Sequence, residues 1–141
     1  MANYYGHGRT NYFRVRDTAA FKEALPADYE VVDGADGVVA VLCQNEDGGW
    51  TVYEWGDYES DDADAAEDVE VDVIDLVAAH LTPGEVAVFQ SVGQEKLRYV
   101  NGVAVAVNAD GDRVTVTLDD IYDLAATTFN TPREQIRAAV Y

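Results

Sequence analysis

The chain has 141 residues, of which 27 are Asp or Glu and 9 are Lys or Arg, so its formal net charge is −18 at pH 7. This length is sufficient for one domain and short for two, and a hydrophobic fraction of 48% argues against general disorder. The negative charge argues against direct binding to nucleic acids or to anionic membranes, because these are polyanions.

The first half of the chain predicts a strand, a short helix and three further strands. Apolar and polar residues alternate over 10–16, which is typical of a strand. Asp17 can then cap a helix over 18–25, which ends before Pro26. Strands are predicted after it at 29–32, 38–43 and 50–55, with Gly-containing turns between them.

The second half repeats this order of elements after an acidic loop at about 56–70. Asp72 can cap a second helix that stops at Thr82-Pro83-Gly84. The apolar residues on one face of this helix are Val73, Ile74, Val77 and Leu81. Three strands follow at 85–92, 97–107 and 113–118. The helical tail at about 119–140 contains a helix over 120–129 and a second helix, which begin at capping boxes 117–120 and 131–134.

Together these elements predict one α+β domain over 1–141, with the element order β-αβββ-αβββ-αα. The simplest packing is a mostly antiparallel sheet with helices on one side. The sequence shows no secretory signal and no run of about 18 apolar residues. Its single cysteine, Cys43, closes an apolar run typical of a buried strand. We therefore expect a soluble cytoplasmic protein with no membrane partner.

The kind of acidity resembles that of proteins from extreme halophiles. Asp outnumbers Glu by 17 to 10, and Lys occurs twice against seven Arg. At about 1 M salt the Debye length falls to about 3 Å, so carboxylates that repel one another in dilute buffer are screened. Short, hydrated carboxylates then keep the surface soluble, which predicts salt adaptation.

The charge is also unevenly distributed. Residues 23–95 contain 20 acidic residues and no Lys or Arg, whereas the other 68 residues contain 7 acidic and 9 basic residues, giving −20 and +2. Salt adaptation is one explanation of the acidity, and the alternative is that the acidic residues form a surface that mimics DNA. Its candidate acidic face comprises Asp57, Glu59, Asp61, Asp62, Asp64, Glu67, Asp68 and Glu70.

The sequence lacks the residue spacings that metal sites and enzyme motifs require. A calcium loop that starts at Asp57 has Asp62 where glycine is required. His7 and His80 have no other ligand at zinc spacing, and phosphate-loop and nucleophile-elbow motifs are lacking. The sequence thus predicts no metal, no cofactor and no catalytic residue.

A few basic and aromatic residues offer another candidate site. If their strands are neighbours, they form a basic and aromatic pole that binds a ligand; the alternative is internal pairing with the surrounding carboxylates. The residues of this pole are His7, Arg9, Tyr12, Arg14, Arg16, Lys96, Arg98 and Tyr99.

Six segments carry a resemblance to known proteins: 2–6 (ANYYG), 11–17 (NYFRVRD), 84–89 (GEVAVF), 95–99 (EKLRY), 104–108 (AVAVN) and 119–122 (DDIY). They resemble a family of small uncharacterised proteins that are encoded on plasmids, viruses and other mobile elements. The resemblance covers most of the chain and implies an accessory role rather than central metabolism. It brings no activity and no binding residues.

The sequence as a whole predicts a non-enzymatic, salt-adapted acidic accessory protein that acts through protein–protein contacts. We expect an unknown protein partner, and a homo-oligomer is possible. One alternative is a DNA mimic that inhibits a nucleic-acid-binding enzyme of the restriction or CRISPR type. Another is a small ligand-binding protein or enzyme that uses the basic and aromatic pole.

Overall fold

The structure is a computed structural model that describes residues 5–44, 48–54 and 69–140. In chain order the elements are β1 (Tyr5–Thr10), α1 (Thr18–Ala24), β2 (Tyr29–Asp33), β3 (Val39–Cys43), β4 (Thr51–Glu54), β5 (Val69–Asp72), α2 (Val73–His80), β6 (Val86–Glu95), β7 (Tyr99–Asn108), β8 (Arg113–Thr117) and α3 (Asp120–Phe129). Single 3-10 turns lie at Ala35–Gly37 and Arg133–Gln135.

Six strands form one antiparallel sheet in the order β2-β3-β1-β6-β7-β8, and β4 and β5 form a separate antiparallel pair. This confirms the predicted single α+β domain with a mostly antiparallel sheet. One face of the six-stranded sheet, which we call the inner face, carries the buried residues of β3, β6 and β7. The other is called the outer face.

Helices α1 and α2 cover the inner face. Phe21 of α1 and Val77 of α2 are fully buried there, and Phe89 of β6 is 1% exposed. Phe13 packs edge-on against Phe21 with ring centroids 5.9 Å apart, and Trp50 packs edge-on against Phe89 at 4.9 Å. The hydrophobic core therefore lies between the helices and the inner face.

The starts of α1 and α2 follow the predicted caps, whereas the N-cap of α3 is Asp119, without a side-chain cap bond, and not Thr117 of the predicted box 117–120. The Asp17 carboxylate accepts from the backbone N–H of Ala20 at 3.1 Å, and Asp72 accepts from Ile74 at 2.9 Å. Arg113 of β8 donates to Asp72 and Asp75, at 3.5 and 2.5 Å. The first turn of α2 is thus fixed to the far strand of the sheet.

The first strand lies earlier than predicted. The regular strand is β1, and over 10–16 only isolated bridges remain, from Phe13 to Val39 and from Val15 to Leu81. The reason is Asn11, whose side chain accepts from Val88 N–H at 2.8 Å and donates to the Val86 carbonyl at 3.2 Å. These bonds replace the regular ladder, and the chain then leaves β6.

A glycine in β1 explains why that strand carried a weak signal. A Cβ added to Gly8 would lie 2.8 Å from the Gly48 carbonyl oxygen and 3.1 Å from the Trp50 ring. Glycine permits this close approach of the backbone. The packing requires glycine at this position, but glycine is depleted in strands. The sequence signal for a strand is therefore weak at β1.

Two further predictions need correction. The predicted loop at about 56–70 ends in β5, so Glu70 belongs to a strand that pairs with β4. The predicted helix after 131–134 is only the 3-10 turn Arg133–Gln135, and Thr131 does not cap it. Arg133 instead lies 4.5 Å over the Tyr122 ring, and the Ala139 N–H donates to the Tyr122 hydroxyl. These contacts hold the tail against α3.

Candidate functional site

The predicted basic and aromatic pole is divided among separate places. His7 and Arg9 lie on β1, where their register with Val92 and Gln90 of β6 places them on the outer face. Arg14 donates to the backbone carbonyl of Asp36 at 2.5 Å. Arg16 donates to the carbonyl of Ala79 at the end of α2, and exposed Tyr12 lies beside Gly34.

Lys96, Arg98 and Tyr99 lie at the opposite end of the sheet from Arg14 and Arg16. They belong to the hairpin between β6 and β7, whereas the Arg14 N–H contacts Glu85 at the start of β6. The ten residues of β6 separate the two places by roughly 30 Å. The structure therefore does not bring the eight predicted residues together.

The hairpin cations belong to a local network. Arg98 lies 4.0 Å from the Glu95 carboxylate, and the Tyr99 hydroxyl donates to the same carboxylate at 3.0 Å. Arg14 and Arg16 bind backbone carbonyls in the same local manner. These contacts fit the internal-pairing alternative better than a convergent ligand site.

The candidate acidic face falls almost wholly outside the described residues. Glu70 is described and is exposed on β5. The other predicted members of this face, Asp57, Glu59, Asp61, Asp62, Asp64, Glu67 and Asp68, lie outside them. Their role stays a prediction.

The outer face of β6, β7 and β8 is apolar. The strand register places Val114 of β8 beside Ala106 of β7, and Ala106 beside Val88 of β6. Leu118, just after β8, lies over Gly102, where an added Cβ would meet its side chain at 2.8 Å. The large exposed apolar residues of this outer face are Val86, Val92, Val100, Val114, Val116 and Leu118.

Carboxylates avoid these three strands. Of the 25 residues in β6, β7 and β8, Glu95 is the single acidic one, and it lies at the hairpin. By contrast, Asp and Glu occur in α1, β2, the turn after β7 and α3. An acidic bias that came only from the habitat would place carboxylates on every exposed strand, so the outer face is an exception that calls for its own explanation.

Helix α3 and the tail border a groove of about 1130 Å³ at the β8 end of the outer face. The groove walls are mostly apolar, and β8 forms an edge of the sheet with all five residues exposed. The principal apolar lining residues are Val100, Val116, Leu118, Ile121, Leu124 and Val140.

This surface was not among the sequence predictions, although two of its strands carry a signal for it. The strand sequences VAVFQSV and VAVAV place apolar residues at both odd and even positions, which is typical of strands covered on both faces, whereas VTVT alternates valine with threonine. In the structure α1 and α2 cover one face. The second apolar set lies on the outer face, which neither of these two helices covers and which α3 only borders.

The described residues also limit other kinds of site. In 5–44, 48–54 and 69–140, no cluster of three or more His, Cys, Asp or Glu side chains could hold a metal ion. Among the helices of that same part, none has both the length and the apolar character needed to cross a membrane.

Comparison with protein-family models, curated proteins and solved structures found no match to the chain.

Proposed function

We propose that this chain is a non-enzymatic accessory protein that acts through protein–protein contacts made by its outer face. The observation that carries the proposal is the apolar, nearly carboxylate-free surface of β6, β7 and β8 on a chain of net charge −18. Val114, for example, is 65% exposed there. Large contiguous apolar patches on otherwise polar proteins mark interaction sites.

The physical argument concerns water. Burial of apolar surface in a protein interface is favourable by about 25 cal/mol for each Å² removed from water, before the cost of association is subtracted. Molar KCl also favours association of acidic chains, because it screens the repulsion between their carboxylates. A contact through the outer face therefore suits a salt-adapted protein, and salt adaptation is part of the proposal. We also propose that the chain originates from a mobile element, and this part rests on the sequence resemblance alone.

The two alternatives have less support. The DNA mimic depends on seven carboxylates that lie outside the described residues, and the described carboxylates are spread over several elements. The ligand-binding alternative requires convergence of Arg14, Arg16, Lys96 and Arg98. These residues lie at opposite ends of the sheet.

The test is retention of proteins by the immobilised chain in molar KCl. The prey is a lysate of an extreme halophile to which an untagged copy of the chain is added. We expect wild type to retain at least one protein that Val116→Asp loses, because the substitution places a charge on the outer face. Ala19→Asp is the matched control, since it adds the same charge to an exposed position of α1.

Equal retention by wild type and Val116→Asp would contradict the proposal. Retention that is lost when duplex DNA is added, yet kept by Val116→Asp, would favour the DNA mimic instead. The ligand-binding alternative predicts no difference between the variants.

A further inference from the structure

We infer that the outer face is the interface of a two-fold homodimer in which α3 of one copy packs on the outer face of the other. This inference rests on the proposed function and names its partner as a second copy of this chain. Two apolar surfaces on the same chain carry it: the outer face and one side of α3.

Helix α3 keeps large apolar residues exposed although the tail contacts it at Tyr122. Ile121 and Leu124, three residues apart, share one side of the helix and line the groove, and Phe129 at the end of the helix is 73% exposed. None of the ten residues of α3 is buried. Helices shorter than about 12–15 residues are marginal in water unless an amphipathic face is packed. The outer face of the same chain borders α3 across the groove without burying any residue of it, so α3 keeps apolar surface that a partner can cover.

The connection between β8 and α3 keeps the helix off its own sheet. Leu118 N–H donates to the Gly102 carbonyl at 2.9 Å, and Ile121 N–H donates to the Leu118 carbonyl at 3.2 Å. Thr117 N–H also donates to the Asp120 carboxylate at 2.7 Å. This hydrogen-bonded turn fixes the direction of α3, and the groove of about 1130 Å³ remains between the helix and the outer face.

A second copy satisfies both surfaces at once. Within the described residues, each chain offers exposed apolar residues of α3 and a sheet face that α1 and α2 do not cover, so a two-fold axis pairs helix with sheet twice. The alternative partner, an unrelated protein, would have to supply both complementary surfaces itself.

The area and the charge both fit this pairing. Ten large apolar side chains that are each about half exposed or more present on the order of 800 Å², which is what one partner buries in a standard interface. They are Val86, Val92, Val100, Val114, Val116, Leu118, Ile121, Leu124, Phe129 and Val140. The near absence of carboxylates from β6, β7 and β8 means that the outer face brings few acidic groups to the contact, whereas Asp120 and Asp123 of α3 must stay at its solvated rim.

The experiment is size-exclusion chromatography with light scattering in molar KCl. Wild type should have a mass of about 31 kDa, twice the 15.4 kDa of one chain. Val116→Asp on the outer face and Leu124→Arg on α3 should each give the monomer mass, whereas Ala19→Asp should remain dimeric. Circular dichroism of each variant checks its fold. If Val116→Asp does not fold, Leu124→Arg still tests the contact, because Leu124 is 61% exposed.

Mixing the two disrupted variants tests the pairing itself. In a mixed dimer both substitutions fall in the same helix-to-sheet contact, where the introduced carboxylate and the introduced guanidinium carry opposite charges, and the other contact is wild type. The mixture should therefore recover the dimer mass. A wild-type monomer, a dimer that neither variant disrupts, or a mixture that stays monomeric would overturn the inference.

These outcomes separate the inference from the proposed function. A monomeric wild type whose outer face still retains another protein from the lysate would overturn only the inference. A monomer that retains nothing through the outer face would overturn both.

Discussion

Circular dichroism of the purified chain should show folded structure increasing as KCl is raised from dilute to molar concentration. With −18 on 141 residues, the carboxylates repel one another in dilute buffer. The Debye length shortens from about 10 Å at 0.1 M to about 3 Å at 1 M, so most of this repulsion is removed by molar salt. We expect a large change, from a partly or largely unfolded chain to a folded one.

A charge-reduced variant supplies the matched control. Glu23→Gln, Asp110→Asn and Glu134→Gln together remove three charges from exposed positions in different parts of the fold. This variant should fold at a lower KCl concentration than wild type. Sodium sulfate at equal ionic strength should act much like KCl if screening is the cause. Full stability in dilute buffer, or a response to sulfate alone, would contradict the salt-adaptation account.

Phe89→Ala should lower the free energy of unfolding by about 3–5 kcal/mol. Phe89 is 1% exposed, and its ring packs edge-on against Trp50 at the centre of the inner face. Its removal deletes both the buried ring and an aromatic contact and leaves a cavity between the sheet and the helices. Urea unfolding in molar KCl measures the loss as a lower midpoint.

Leu97→Ala is the control for this prediction. Leu97 lies in the hairpin between β6 and β7 and is 71% exposed, so its truncation should change the free energy of unfolding by less than about 0.5 kcal/mol. A small effect of Phe89→Ala, comparable to that of Leu97→Ala, would show that the described core is wrong.

Local signals predicted the helices well and the tail poorly. The caps at Asp17 and Asp72 and the predicted bounds of α3 agree with the structure because they depend on contacts within one or two turns. The tail beyond 131 carried an equally good capping sequence. There the contacts of Arg133 with Tyr122 and Asp123 accompany a single 3-10 turn in place of a helix.

Long-range packing explains the remaining differences. The position of β1 depends on the approach of the Gly48 carbonyl to Gly8 and on the bonds that Asn11 makes to β6, neither of which has a local pattern. The sequence carried the apolar residues of the outer face, but which face of the sheet the described helices cover could not be predicted from it. Apolar residues on both sides of β6 and β7 indicate two covered faces, but only the fold reveals that α1 and α2 cover one of them.

Carbene footprinting in molar KCl tests most directly whether another protein surface covers the outer face, because it labels accessible aliphatic side chains. We predict that labelling of Val114, Val116 and Leu124 falls as the chain concentration rises or as the retained lysate fraction is added. Labelling of Ala19 on α1 should stay constant. Unchanged labelling of the outer face under both conditions would contradict its role as a protein contact surface.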